Sequence, residues 1–551
     1  MPERLSRAAP EMRWWGWGDP EHPPALPEHA LDFLRAEVGI ADAPQAPVPL
    51  EAIALPDSRL PDAARQALVA TGSAVREDQA ARVVHAAGKG YWDLVRQRAG
   101  ECAQAPDAVV LPGDRDEVRA VLGVCAEHGI AVVPFGGGTS VVGGVEPLRG
   151  PFESVVSLDV SRLDRLVSVD RPSLTAVLEA GVRGPDAEAM LHAQGLTLGH
   201  FPQSYEYASI GGYVATRSAG QASTGYGRVD ELVLGVSCVA PSGDVDVRAL
   251  PASAAGPALR ELVVGSEGTL GVITQAAFKV RPTPAERRYE GWFFRGFEAG
   301  AEAFRELEQQ DAAPDVARLS DEDETRMSLA LAGREGLKAR LGDSYLRLRG
   351  YEGGCLAILG WEGDPDDVAR RAARTSALAR RGGGLALGRS PGEAWAHGRF
   401  EGPYLRDDLL AHGVMAETLE TATQWSGVLA LHRAVSDALR EALSARGTPP
   451  LVMCHISHLY PSGCSLYFTF LARQQSGDEL AQWGAAKRAA SDAIAAQGAT
   501  ITHHHAIGRD HVGWMRAEIG DTGIGVLRAV KAQLDPAGIM NPGKLLPEPA
   551  A

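Results

Sequence analysis

This sequence predicts an α+β chain of more than one unit, on three observations. Two glycine-rich turns lie far apart, at 133–140 (VPFGGGTS) and 265–274 (GSEGTLGVIT), each after an apolar, strand-like run. A strand, a helix and a second strand lead straight into the first turn. Strand, helix and strand then recur between about residues 286 and 500, the pattern of an α+β unit.

In chain order, residues 1–100 read as an N-terminal extension, with a helix over Leu31–Val38 and a Pro/Ala-rich loop over Ala43–Pro56. Asp107–Pro112 is a short strand. Asp114 and Glu117 have capping-box spacing, Val118, Val121, Leu122 and Cys125 form an apolar helical stripe, and Gly129 suits the stop. Ala131–Phe135 is the second strand. The two prolines of Arg281-Pro282-Thr283-Pro284 mark a boundary, which sets one domain at 101–285 and another at 286–500. In the second, Tyr289–Phe294, Cys355–Trp361, Leu451–Ser457 and Ser465–Leu471 read as strands. Ala301–Gln309, Asp366–Arg381, Trp425–Ala445 and Leu480–Ala496 read as helices. Within residues 501–551, Gly520–Lys544 reads as a helix stopped at Asp535-Pro536, then a turn that returns to the first domain.

Composition narrows the class. A formal charge of −16 makes a nucleic-acid partner a poor fit. Six scattered cysteines without a CxxC pair suggest neither a disulfide framework nor a zinc ribbon and suit a reducing cytoplasm. Met1–Pro10 is polar and lacks the apolar core of a secretion signal. No run approaches the roughly 18 apolar residues of a membrane helix. The Trp14-Trp15-Gly16-Trp17 cluster suits either a lipid interface or an arm packed on the body, and the second reading is favoured.

Clustered glycines let backbone N–H groups approach a phosphate without Cβ interference. The familiar loops do not fit. No lysine follows Gly143-Gly144-Val145, as a Walker loop requires, and Val141 stands where the third glycine of GxGxxG belongs. Two turns and the segment between them could instead wrap one large dinucleotide.

One further cluster carries chemistry. Thr502-His503-His504-His505 places three imidazoles in a row, the side chain that titrates near neutrality. On a strand, His503 and His505 would share a face and His504 oppose them. A metal reading would need ligands such as His455 and His458 and a nearby carboxylate, of which Asp510 is the nearest in sequence; no metal is expected.

The strand–helix–strand–loop unit, with Pro202-Gln203-Ser204, Ile210-Gly211-Gly212 and GSEGTLG, resembles the flavin domain of vanillyl-alcohol-oxidase-type FAD enzymes over Cys102–Pro282. That resemblance implies a two-subdomain PCMH-type FAD-binding domain plus an α+β cap (substrate) domain. Its implied FAD contacts are Pro134, Phe135, Gly136, Gly137, Gly138, Thr139, Ser140 and Val141. Gln203, Ser204, Tyr205, Ser209, Gly211, Gly212, Thr216, Arg217, Ser218 and Ala219 follow, then Gly265, Ser266, Glu267, Gly268, Thr269, Gly271 and Val272. The loop before Thr139 holds no histidine or cysteine, so the FAD is expected to be non-covalent.

The His458-Leu459-Tyr460-Pro461-Ser462-Gly463 segment, the histidine run and Met12–Gly18 resemble the alkyl-dihydroxyacetone-phosphate synthase family. So do Gly402–Asp407 and Glu417–Thr421. The resemblance implies an FAD-dependent alkyl transferase. It exchanges the acyl chain of acyl-dihydroxyacetone phosphate for a fatty alcohol, with no net redox change. It implies Tyr460 as general acid/base, assisted by His503, His504 and His505, with Arg318 near the flavin and Arg406 on the substrate phosphate, which its planar fork suits unless it pairs with Asp407 or Asp408. It implies a homodimer, and the Ala/Arg/Gly-rich composition suggests a bacterial, cytoplasmic protein, with peripheral membrane contact as an open reading. The alternative is an FAD-linked oxidase or dehydrogenase of a 2-hydroxy acid such as D-lactate. The stretch His455–Gly463 lacks the Asp and Asn of that class's metal-binding segment.

Overall fold

The computed structural model describes residues 12–18, 26–41, 43–333 and 337–547. Two sheets share one core in the first half of the chain. Ser154–Asp159 runs parallel to both Ala108–Leu111 and Ile130–Phe135, and Ala74–Arg76 adds an antiparallel edge. Parallel neighbours need a crossover, which helix Arg115–His128 supplies. Asp114 caps it by accepting the N–H groups of Asp116 and Glu117, and Gly129 ends it at φ +63°. Glu117 does not close the box onto Asp114; its carboxylate accepts the Gly113 N–H at 2.7 Å. The second sheet is antiparallel, in the order Leu166–Asp170, Thr175–Glu179, Val272–Lys279, Val233–Ala240, Gly243–Val247. Val132, Val156 and Leu158 of the first sheet join Leu178, Ala276 and Phe278 of the second in one apolar cluster.

A seven-stranded antiparallel sheet follows. Its order is Leu385–Gly388, Glu286–Phe294, Cys355–Gly363, Val316–Ser320, Leu451–Tyr460, Gly463–Arg473, Val414–Gln424. Helices Phe297–Gln309, Pro365–Arg381, Val428–Ser444 and Glu479–Ala496 bury their apolar stripes against one face. Each fully buried Phe304, Leu439 or Phe468 contributes about 1.5–3 kcal/mol by leaving water. The opposite face carries the polar side chains of the candidate site.

One irregularity decides that face. Ile456 pairs with Leu466, but Leu459 pairs with Cys464, so three steps on one strand oppose two on the other. In a regular strand His455 and Tyr460 would point to opposite sides. The extra residue of this bulge turns His458 and Tyr460 onto the side of His455. Leu459 takes the place beside Val452, Cys454 and Ile456 in the core.

Both ends of the described chain pack onto the body. Trp17 is buried, its N–H donates to Asp407 at 2.8 Å, and Lys89 donates to the carbonyls of Arg13 and Trp14. A Cβ on Gly16 would lie 2.3 Å from the Asp407 carboxylate, which shows how closely this arm sits. Met515–Leu534 is two helices meeting at a kink at Gly520, φ +69°, where the sequence placed the start of the last helix. Beyond it Met540 bridges to Val132, and Asn541 donates to the Glu267 and Gly144 carbonyls. No helix among the described residues is long and apolar enough to cross a membrane.

Candidate active site

The two glycine turns and the segment around residue 208 are pressed together. A Cβ on Gly137 would fall 2.0 Å from the Tyr207 carbonyl oxygen, one on Gly136 2.2 Å from Ser209 Oγ, and one on Gly268 2.8 Å from Pro134. The N–H groups of Gly136, Gly137, Gly138, Thr139, Ser140 and Val141 find no acceptor among the described residues. Ser266 Oγ is buried and unpartnered. A run of unspent backbone donors in a concave turn is the donor set a pyrophosphate requires, so this cradle fits the expected dinucleotide.

Several side chains named from the sequence are engaged elsewhere and can offer the cradle mainly backbone. Tyr205 stacks on Phe400 with ring centroids 5.2 Å apart. Arg217 is held by the Val264 carbonyl and Glu261. Ser209 caps its helix through Gly212, Thr216 bonds the Gly212 carbonyl, and Ser218 pairs with His200. Gln203 is exposed beside Gly402, and Ala219 is buried. Gly211 packs on Ala180, Gly265 on Arg217, and Gly271 on the Val239 carbonyl at the entry to the Val272 strand. Thr269 Oγ1 donates to the Ser266 carbonyl, and the Ser204 carbonyl accepts the Tyr207 N–H.

The histidine run is not a strand, so the expected alternation of faces does not arise. It is a loop wrapped around one buried carboxylate. Glu420 accepts the N–H groups of His504 at 3.0 Å and His505 at 2.7 Å, that of His503 at 2.5 Å, and the Thr502 hydroxyl at 2.6 Å. A second carboxylate, Glu267, accepts the N–H groups of Ile507 at 2.8 Å and Gly508 at 2.6 Å. Residues 502–508 are therefore gripped from both halves of the molecule.

The rings converge as a result. The Tyr460 hydroxyl lies 2.6 Å from His503 Nε2, and His503 Nδ1 lies 2.9 Å from His504 Nδ1. His458 stacks on His503 at 5.0 Å, and its Nδ1 meets Ser223 Oγ at 2.5 Å. Burial keeps the imidazoles neutral: it drives His503 and His458 well below the usual histidine value, lowers His504, and takes His505 to about 3. Burial works to raise Glu420, but its attraction for positive charge arriving on His504, His505 or His503, with the bond from the Thr502 hydroxyl, outweighs it and holds the carboxylate well below the usual range. With His503 Nε2 accepting from Tyr460, its proton sits on Nδ1 and points at His504. Ring nitrogens of His458, His503 and His504 lie within 4.8 Å of one another, a spacing that could hold a metal. Most of these nitrogens are already bonded to Tyr460, Ser223 or each other. The nearby carboxylate is Glu420 rather than Asp510, with Oε2 3.5 Å from His504 Nδ1.

Arg318 faces the same side of the sheet. It donates to His455 Nε2 at 2.9 Å and to Glu324 at 2.7 Å, and His455 Nδ1 in turn meets Glu324 at 2.9 Å. His455 stacks on Tyr467, whose ring adjoins His504 and His505, so Arg318 and the histidine run line one continuous surface. Arg406 is buried, donates to the Lys89 carbonyl at 2.8 Å and lies 3.7 Å from Glu417. Asp407 and Asp408 are occupied instead by the N-terminal arm, Trp17 and Leu26.

Sequence reasoning missed Glu420, Glu324, His200 and Arg228. Glu420 bonds groups 82 to 85 residues away, and Glu324 joins Arg318, six residues before it, to His455, 131 residues after it, so neither role shows in local pattern. His200 is buried, with Nδ1 unpartnered and Nε2 on Ser218 at 2.7 Å.

Comparison with known proteins gives a consistent picture. Residues 106–247 match a family described as an FAD binding domain, and residues 283–545 match the C-terminal domain of FAD linked oxidases. The chain is 34% identical to the alkyldihydroxyacetonephosphate synthase of Trypanosoma brucei brucei, over 99% of this chain and 94% of that protein. It is 33% identical to the enzyme of that name from Dictyostelium discoideum, over 86% and 78%. A solved structure of an alkyldihydroxyacetonephosphate synthase superposes with a TM-score of 0.84 at 28% identity, covering 97% of this chain and 99% of that one.

Proposed function

The chain belongs to the alkyldihydroxyacetonephosphate synthase family, and we propose that its imidazole–phenol cluster performs the proton transfers of that reaction. The enzyme is an FAD-dependent transferase that exchanges the acyl chain of acyl-dihydroxyacetone phosphate for a fatty alcohol, without net redox change. The observation that carries the assignment of roles is the 2.6 Å contact between the Tyr460 hydroxyl and His503 Nε2. Oxidation of a 2-hydroxy acid has less support, since the synthase relatives match at 32–34% over most of the chain.

FAD held by the backbone donors of 136–141 and the turn at 265–272 would supply the electron-accepting ring. The loop carries no histidine or cysteine, which supports non-covalent binding. As phenolate, Tyr460 takes the proton of the substrate carbon and as phenol returns it; the acyl chain leaves as a carboxylate, and the proton lost by the attacking fatty alcohol neutralises it. His503 Nε2 takes the phenol proton, and its own Nδ1 proton can move to His504, where the Glu420 carboxylate stabilises the resulting cation. Arg406, whose Nη1 donates to the Lys89 carbonyl, offers its remaining guanidinium donors to the phosphate, and the Arg318–His455–Glu324 group extends the surface that carries the histidine run. Domain boundaries at 100, 285 and 500, a homodimer, and a bacterial cytoplasmic setting with peripheral contact to a lipid surface complete the proposal.

The test is anaerobic mixing of the yellow protein with acyl-dihydroxyacetone phosphate, then with a fatty alcohol. Bleaching, recovery on addition of the alcohol and an ether product are expected. A flavin inert to that pair but bleached by D-lactate would overturn the reading.

A further inference from the structure

A buried phenol is a poor acid. Burial pushes the Tyr460 hydroxyl well above the usual tyrosine range, and the Glu231 and Asp230 carboxylates push the same way. His503, the base it touches, is neutral but weakened by the same burial. Something must receive the negative charge when the proton leaves.

The segment 223–228 lies directly on the bulged strand. Ser223 Oγ meets His458 Nδ1, and Thr224 Oγ1 accepts the Leu459 N–H at 3.4 Å. Gly227, at φ +96°, turns the chain so that Arg228 heads the short helix Val229–Leu232. The Arg228 N–H is held by Glu231 at 2.8 Å and its Nε by Asp230 at 3.1 Å. Carried on this segment, its guanidinium lies near enough to the Tyr460 hydroxyl for its positive charge to favour the phenolate. The same positive charge bears on His458, His503 and His504 and favours their neutral, proton-accepting forms.

We propose that Arg228 is the charge partner of Tyr460: its guanidinium, fixed by Asp230 and by the Glu231-held backbone, takes up the phenolate charge as His503 accepts the proton. This rests on the acid/base reading of Tyr460 and adds a residue that no sequence motif marked. A guanidinium suits the task because it stays charged at every working pH and presents several donors in one plane.

The test places a polyfluorinated tyrosine at position 460 in flavin-loaded protein and follows its titration by fluorine NMR, alone and with Arg228→Gln or Arg228→Lys. The label titrates in an accessible pH range and needs no substrate. In R228Q its midpoint should rise by at least one pH unit, about tenfold in ionisation constant, with R228K in between. The transfer reaction of R228Q should lose kcat by about tenfold or more with KM little changed, and recover as pH rises. An unchanged midpoint in both variants overturns the proposal. So does a loss in KM alone for the phosphate-bearing substrate, which would make Arg228 a phosphate ligand. A shifted midpoint in a protein that forms no ether leaves Arg228 assigned and removes the function instead.

Discussion

The glycine cradle and the imidazole–phenol cluster meet the same loop, 502–508, from opposite sides and are built from opposite materials. The cradle is backbone. Its donors are consecutive N–H groups, and its shape depends on residues that lack a Cβ where another chain segment comes within 2.0–2.8 Å. The cluster is side chains, drawn from strands and loops as far apart as Arg318 and His505, and aimed by one inserted residue in a strand. Their two carboxylates show the same contrast. Glu420 is held well below the usual range beside three imidazoles, whereas burial pushes Glu267 up to about 7 against the pull of the Ile507 and Gly508 N–H groups and Lys544. The same role of gripping backbone N–H groups is thus filled by a fixed charge on one side and a titratable one on the other.

That division can be broken first at Tyr460. Tyr460→Phe removes one hydroxyl from the side-chain half and should lower kcat by about 10²–10⁴-fold with flavin content unchanged. Loss of flavin in this variant would mean that the two halves are not separable. The converse is Gly137→Ala, whose Cβ would collide with the Tyr207 carbonyl. Because the obstacle is backbone, it should cost about 3 kcal/mol and appear as weakened flavin binding; full flavin occupancy by absorbance would show that the cradle tolerates a side chain.

Glu267→Gln sharpens the contrast between the carboxylates. Ordinary glutamate ionises near about 4.3 in the unfolded chain, below the folded value of about 7. The stability conferred by the protonated clamp is therefore full below about pH 4.3 and lost as pH climbs to about 7. Gln cannot ionise, so E267Q should gain on the wild type between pH 5 and pH 8, by about 2–3 kcal/mol. Melting curves at the two pH values decide this, and a gap independent of pH would refute the titratable clamp. The smallest effect belongs to the cradle's supporting helix. Asp114→Ala removes a cap that accepts two N–H groups and should cost about 1 kcal/mol in denaturant melts, with Tyr460 chemistry untouched; a change in kcat would tie the two halves together.

Local pattern was enough for the parts that local physics builds. The Asp114 cap, the Val118–Cys125 stripe and the Gly129 stop define the crossover helix because a helix satisfies its own backbone and shows its buried face every 3.6 residues. The two glycine turns were legible because a conformation open to few other residues leaves its mark in the residue type. The histidine run was visible, but its arrangement was not. Strand alternation predicted opposed faces, whereas Glu420 collects the loop's N–H groups and brings the rings together.

By itself, then, the sequence determined the strand–helix–strand unit, the glycine cradle, the alternation of strands and helices beyond residue 286 and, through motif resemblance, Tyr460 and the histidines as residues of interest. Only the tertiary structure decided that Tyr460 faces His503, that Glu420 and Glu267 share one loop, and that the segment leading to Arg228 packs on the bulged strand. Backbone donors are arranged by their neighbours in the chain. The buried charge of Glu420 is stabilised by groups that the fold brings from far along the chain, and a one-residue bulge, silent in composition, decides which face of the sheet the site residues share.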